Sequence, residues 1–337
     1  MTPAMAPSSV PTEAVLAQRH GIVRIEEPLP FGPASVNFYL LCGPPPVLID
    51  AGMRTPRAMD LLREAAESVG VELRDIAHVF LTHAHVDHAG LAPTLAERYG
   101  AEVWAHPGEA VRLDGGQARF MDQALPRLLA RLGAAPDMVE VFMGGLAPAI
   151  DNYRRQIMDG FRMMVPGMKL PVNGLDLEVR HTPGHSFGSV CFLEKKLGLL
   201  FSGDTLLPLG PPRTVISPSG PSDLPWGGLA ALERSLSDLA ATGASTVLAG
   251  HGPPAPFGEL ITEAGQGLAA RRRAVLKALG AGSTPFGMVR KTSGTPAVTV
   301  LRLMQLAETR CTLEALAGEG GVNLEVIDGV EYFSPRY

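Results

Sequence analysis

The chain has little cysteine: three residues in 337, Cys42, Cys191 and Cys311. Their number is odd and their spacing wide, which excludes both a disulfide framework and a zinc-finger set. They read as reduced thiols, and a reducing compartment, the cytoplasm, is the expected location. No apolar run approaches the roughly 18 residues of a membrane-crossing helix, so no membrane association is expected. Positive charge is not in excess: 29 Lys and Arg stand against 34 Asp and Glu. The whole chain therefore makes no electrostatic case for nucleic acid or anionic lipid. Residues 1–11 have neither a basic segment nor an apolar segment of a secretory signal, and residues 1–12 are expected to be disordered. No internal repeat is found. A hydrophobic content of 46% and a charged content of 19% describe a globular chain with a sizeable core.

What is there is concentrated in six residues, His83-Ala84-His85-Val86-Asp87-His88. Three imidazoles and a carboxylate form an N/O donor set that zinc, iron or manganese accepts. Ile76–Thr82 reads as a buried strand before the run, and Ala89–Gly100 as a helix after it, ended by glycine. Three more segments repeat one pattern. Leu177–Gly184 leads to His185, Leu199–Gly203 to Asp204, and Thr246–Gly250 to His251. In each, a strand ends, glycine permits a tight turn, and a ligand-type residue follows. Strand ends hold a side chain at a fixed angle better than loop centres do.

The combination HAHVDH, TPGH, SGD and GHG resembles the metallo-β-lactamase fold superfamily over residues of about 20 to 260. The resemblance implies an α/β fold, a four-layer αββα sandwich with a dinuclear centre at one edge. By that pattern one ion takes His83, His85 and His185, the other takes Asp87, His88 and His251, and Asp204 bridges them. The implied cofactor is two divalent ions, Zn²⁺ first, with Fe or Mn as alternatives. β-Lactamases of the family usually carry cysteine at the place of Asp204, and flavodiiron members carry glutamate at that of Ala84, which argues against both activities here. Asp50, after the strand Val47–Ile49, is expected to brace the histidine loop by hydrogen bonding rather than to bind an ion.

The sandwich is expected over 13–257, with a helical insertion at 107–168 and a helical, winged-helix-like C-terminal domain at 258–337. Gly21–Glu27 and Val36–Leu41 read as paired strands, and Thr55–Val69 as a helix capped by Thr55 with Pro56 at its first position. The insertion is read as helices over Gln117–Leu132, Pro136–Met143 and Ala147–Met164, and seven of the 13 methionines fall within Met121–Met168. Methionine suits surfaces that meet varied apolar partners. Met163 and Met164 are the expected substrate-binding residues of an acyl-chain wall. The competing reading is that the methionines pack the insertion onto the core or form a homodimer face. In the tail, Glu259–Leu279, Val298–Leu306 and Thr312–Ala317 read as helices and Leu324–Phe333 as a hairpin turning at Asp-Gly. Seven Lys or Arg and no acidic residue lie between Arg271 and Arg302. That stretch could face phosphate, or form a solvated face and an interdomain contact. His20, His78, His106 and His181 carry no motif, although His181 is placed to point with the ligands.

With the resemblance, the expected chemistry is attack by a metal-bridging hydroxide on a thioester, ester or lactone carbonyl, with Asp87 orienting the water or moving its proton. The expected partner is a small molecule, an acyl thioester or ester. An endoribonuclease acting through the tail is the first alternative, a mononuclear-iron persulfide dioxygenase the second, and metal binding without turnover the third.

Overall fold

The computed structural model describes residues 16, 19–29, 35–172, 174–215, 228–293 and 300–336. The expectation for residues 1–12, and the start of the helix expected from Val298, lie outside them.

The first sheet runs in the order β1 (Ile22–Pro28), β2 (Ser35–Leu41), β3 (Val47–Ile49), β4 (His78–Phe80), β5 (Glu102–Ala105) and β6 (Arg162–Met163). Its first three strands are antiparallel, and β3 to β6 are parallel. The second sheet holds β7 (Lys169–Val172), β8 (Leu175–His181), β9 (Val190–Glu194), β10 (Leu199–Gly203), β11 (Thr246–Ala249) and β12 (Ala255–Pro256), also in sequence order. The strand β2 shows why the layers form. Phe38 and Leu40 pack into the outer helical layer, while Tyr39 and Leu41 pack between the sheets. A strand buried on both faces is apolar at every position, as residues 36–41 nearly are. On the second sheet Val190, Phe192, Leu199, Phe201 and Leu248 face inward. Cys191, Leu193, Leu200 and Val247 face the opposite helical layer.

Outside the first sheet lie α1 (Pro56–Ser68), α2 (Val86–Ala89) and α3 (Ala92–Tyr99). Thr55 caps α1 by accepting from the Ala58 N–H at 3.0 Å, and Ala58, Leu62 and Ala66 form its buried stripe. The insertion comprises α4 (Ala110–Leu113), α5 (Gly116–Arg119), a π-helical turn at Phe120–Ala124, α6 (Leu125–Arg131) and α7 (Pro136–Arg155). Outside the second sheet lies α8 (Gly228–Ala240). The C-terminal domain adds α9 (Phe257–Leu279), α10 (Pro285–Ser293), α11 (Val300–Gly318) and a hairpin of β13 (Val322–Ile327) and β14 (Val330–Pro335). Its turn residues Asp328 and Gly329 have φ of 50° and 82°, as a two-residue turn with both central residues left-handed requires.

Two helical readings change. The helix α7 runs unbroken through Gly144, Gly145 and Pro148, then ends at Arg155, so Met163 lies in β6 and not in a helix. The helix α11 is continuous across residues 307–311, where the sequence suggested a break. Arg310 there is buried against Glu314 and Glu331. The insertion and the tail share one core: Phe120, Leu125, Leu129, Phe142 and Leu146 pack with Phe286, Val289 and Leu306.

Candidate metal centre and its cavity

Five strands deliver the cluster to one edge of the sandwich. Asp50 follows β3, the histidine run follows β4, and His185 follows β8 by way of Thr182-Pro183-Gly184. Asp204 directly follows β10, and His251 follows β11 after Gly250. Glycine is required at two of these turns. A Cβ on Gly250 would lie 2.6 Å from both Asp204 Oδ1 and His88 Cε1. Gly203 has φ of +49°, and its Cβ would meet Thr82 Oγ1 at 2.5 Å.

All seven expected ligands come together. Potential donor atoms lie within 4.8 Å of one another in three groups: His83, His85 and His185; His83, His88 and Asp204; Asp87, His88 and His251. His85 Nδ1 is 2.9 Å from both His83 Nε2 and His185 Nε2. Asp204 Oδ2 is 3.3 Å from His251 Nε2 and 3.5 Å from His185 Nε2. Asp87 Oδ2 is 3.7 Å from His251 Nε2.

The chemistry of these donors fits a divalent cation. The outward nitrogens are already engaged. His88 Nδ1 bonds the Asp50 carboxylate at 2.8 Å, His185 Nδ1 donates to the Arg213 carbonyl at 2.9 Å, and His251 Nδ1 donates to the Ser35 carbonyl at 2.6 Å. That leaves each Nε2 as a lone-pair donor facing the cluster. His88 Nε2 and Asp204 Oδ1 are buried without a hydrogen bond, and stand 3.3 Å apart. Buried polar atoms left unpaired at one point are what a bound ion would satisfy. Burial and mutual charge shift these groups in both directions: against its burial, His251 is raised by Asp204. Burial, then the neighbouring imidazoles, hold His83 and His85 well below the usual histidine range. Burial also lowers His185. Burial opposes the charge on His88 too, but Asp204, Asp50 and Asp87 together outweigh it and raise that group. Asp204 is buried, and the facing His251, His88 and His185 still hold it well below the carboxylate range.

The cluster forms the floor of a cavity of about 370 Å³. His85, Asp87, His185, Asp204 and His251 reach it, and the insertion supplies Gln117, Met121, Leu146, Ala149 and Tyr153. The C-terminal helix α11 supplies Val300, Leu303 and Met304. Among the described residues, no lysine or arginine lines it.

Met163 and Met164 are not in this lining. Met163 is 65% exposed on β6, and Met164 is fully buried between the sheets. Of the seven insertion methionines only Met121 lines the cavity, where it is joined by Met53 and Met304. His181 also turns away. It stacks on His106 with ring centroids 4.1 Å apart, and its Nε2 donates to the Phe187 carbonyl. Two members of the tail's basic stretch are engaged within the chain: Arg272 bonds Glu233 and Glu319, and Arg271 bonds the Pro212 carbonyl.

Sequence reasoning missed Glu109. Its side chain is fully buried, as is that of Arg112, which it meets at 3.0 Å. Its Oε2 accepts from the Ala84 N–H, and its Oε1 from the Ser186 hydroxyl and the Gly188 N–H. One carboxylate thus ties the histidine loop to the loop that carries His185. The signal was present, since β5 is followed by His106-Pro107-Gly108-Glu109, the strand–glycine–carboxylate pattern of the ligands themselves. Asn37 and Tyr39 serve the remaining loop, both donating to the Ala249 carbonyl two residues before His251.

A two-sheet sandwich between helical layers, with an imidazole and carboxylate cluster at the strand ends, defines a class of metal-dependent hydrolase. The metallo-beta-lactamase superfamily model matches residues 31–251, and the chain belongs to that superfamily. It is 30% identical over 237 residues to the probable metallo-hydrolase YqjP of Bacillus subtilis, covering 69% of this chain and 72% of that one. It is 27% identical over 214 residues to the hydroxyacylglutathione hydrolase GloC of Haemophilus influenzae, covering 63% and 82%. The structure of the metallo-beta-lactamase family protein TTHA1429 from Thermus thermophilus matches with a TM-score of 0.78 at 27% identity, over 94% of this chain and 99% of that one. A second structure, a beta-lactamase domain protein from Burkholderia ambifaria, matches with a TM-score of 0.76 at 20% identity, over 94% and 91%, and shares the fold. The C-terminal helices and hairpin are thus part of an architecture that extends beyond the sandwich. No described helix is long and apolar enough to cross a membrane.

Proposed function

We propose that this chain is a dinuclear metal-dependent hydrolase of thioesters or esters with an apolar acyl group. The observation that carries this reading is the position of the His/Asp cluster, at the floor of a mainly apolar cavity without lysine or arginine among its described lining. A phosphodiester of RNA brings anionic charge along its length, and such substrates are met by basic grooves. An uncharged acyl group asks only for apolar walls and a polarised carbonyl. The relative GloC, by its name a hydroxyacylglutathione hydrolase, adds weak support for thioesters.

In this reading His83, His85 and His185 would hold one ion and Asp87, His88 and His251 the other, with the Asp204 carboxylate available to both. Zinc is the first choice, and iron or manganese suits the same N/O set. When bound, two divalent ions supply a water acidic enough to attack near neutral pH and positive charge for the oxygen that becomes negative. The protein's own part is arrangement. Asp50, Ser35 and Arg213 fix the imidazole orientations, and Glu109 fixes the two loops against each other. Asp87 borders the cavity with its side chain 14% exposed, so its carboxylate can take the proton of the attacking water and pass it to the leaving group. The apolar walls exclude bulk water from the reacting carbonyl. None of the three cysteines, all of them described, forms a disulfide, which supports a reducing, cytoplasmic setting.

The test is hydrolysis of acyl thioesters by the metal-loaded protein and by Asp204→Ala. Wild type should turn over, and the variant should lose activity by orders of magnitude while remaining folded. Cleavage of single-stranded RNA with no acyl thioester turnover would replace this reading with the nuclease one.

A further inference from the structure

The cavity above the centre is a slot between two helices from different parts of the chain. From α7 it is bordered by Gly145, Leu146, Pro148, Ala149, Asn152 and Tyr153. These are positions i, i+1, i+3, i+4, i+7 and i+8, one continuous face of a helix. From α11 it is bordered by Val300, Leu303 and Met304, positions i, i+3 and i+4. The α7 face is small where it matters, since Gly145 and Ala149 project little or nothing. The α11 face carries the larger side chains of Val300, Leu303 and Met304. The helices are held apart at fixed spacing by the core they share, in which Phe142, Leu146 and Ile150 pack with Phe286 and Leu306. The slot leads to His85, Asp87, His185, Asp204 and His251.

We infer that this slot is the acyl-chain site, with the C-terminal domain as one of its walls, and that Ala149 and Leu303 set the longest chain accepted. The inference rests on the hydrolase reading for the reacting carbonyl. Three observations select an unbranched apolar chain as occupant. The described lining above the metal ligands is mainly apolar and carries no Lys or Arg; the volume of about 370 Å³ suits a small molecule and not a macromolecule; and faces of two helices border the space, with Met53, Gln117, Met121 and Val215 also in its lining. Met121 and Met304 border the slot, and their unbranched side chains adjust to chains of different length. The tail is thereby part of the substrate site.

The experiment measures binding of linear carboxylates from four to twelve carbons to the metal-loaded protein by calorimetry, beside hydrolysis of the matching acyl thioesters. Affinity in the wild type should rise about fourfold per methylene up to a limiting length, as expected from burial of each CH₂. Ala149→Phe should lower that length and Leu303→Ala should raise it. Val141→Ala, on an exposed part of α7 outside the lining, should leave the profile unchanged. A merely structural role for either residue would not shift the limit in opposite directions. Should Ala149→Phe fail to fold, Leu303→Ala alone decides. Affinity that is absent or flat with length, or a limit unmoved in Leu303→Ala, overturns the inference. Length-dependent binding without thioester turnover overturns the hydrolase reading and leaves the slot standing.

Discussion

His88 Nδ1 lies 2.8 Å from the Asp50 carboxylate, and Asp50 reaches it from a left-handed backbone with φ of 58°. The same carboxylate accepts the Thr82 N–H at 2.8 Å and the Thr82 hydroxyl. Aspartate tolerates that conformation better than most residues do. The geometry sets His88 Nε2 toward Asp204 and away from the brace.

Removing that brace's charge should cause a specific loss. Asp50→Asn keeps the size and the backbone preference, but an amide can present its NH₂ to His88 and reverse the tautomer. Metal affinity should fall by about 10–100-fold with the fold preserved. Titration with a competing chelator, beside circular dichroism, measures both. Unchanged affinity would show that Asp50 does not orient the ligand.

Glu109 and Arg112 form a fully buried ion pair, so removing one partner strands the other. Glu109→Gln should cost about 3–5 kcal/mol of stability. Glu109→Gln with Arg112→Met should recover much of that loss, because no uncompensated charge stays buried. Thermal unfolding of the two single variants and the double variant reads the coupling. Additive losses would contradict the pairing.

His106 supplies a pH dependence outside the metal ligands. Burial, then the adjacent His181, lowers it from 6.5 to about 4. Between those values the unfolded chain binds a proton that the folded chain refuses. Stability contributed at neutral pH is therefore lost as pH falls from about 6.5 through about 4. Protonation would also remove the acceptor that His106 Nδ1 offers to the Gly108 N–H at 3.1 Å. A histidine titration followed by NMR should place His106 near 4, and His106→Gln should flatten the pH–stability slope in that window. A midpoint near 6.5 would mean that the ring is freely solvated.

The ligand cluster was legible in sequence because its signal is local: a dense run of donors, and three glycine turns that each end a strand. Its supports were harder to read. Asp50 could be assigned through the resemblance, whereas Glu109 lies 25 residues from Ala84, and only the fold joins them. Met163 and Met164 lie outside the cavity lining: methionine content marks apolar contact without saying with what. Packing against α11 carries α7 through Gly144, Gly145 and Pro148, where helix propensity alone argues for a break. That tertiary override creates the face that lines the slot, so the substrate cavity was the part least visible in sequence. The two alternating faces of β2, by contrast, were written in its near-continuous apolar run.

Elemental analysis of the purified protein against its concentration tests most directly for the dinuclear centre. The wild type should hold close to two divalent ions per chain, with loss or weakening of one on Asp204→Ala. A single ion per chain that resists addition of a second would contradict it, and would favour chemistry at one iron.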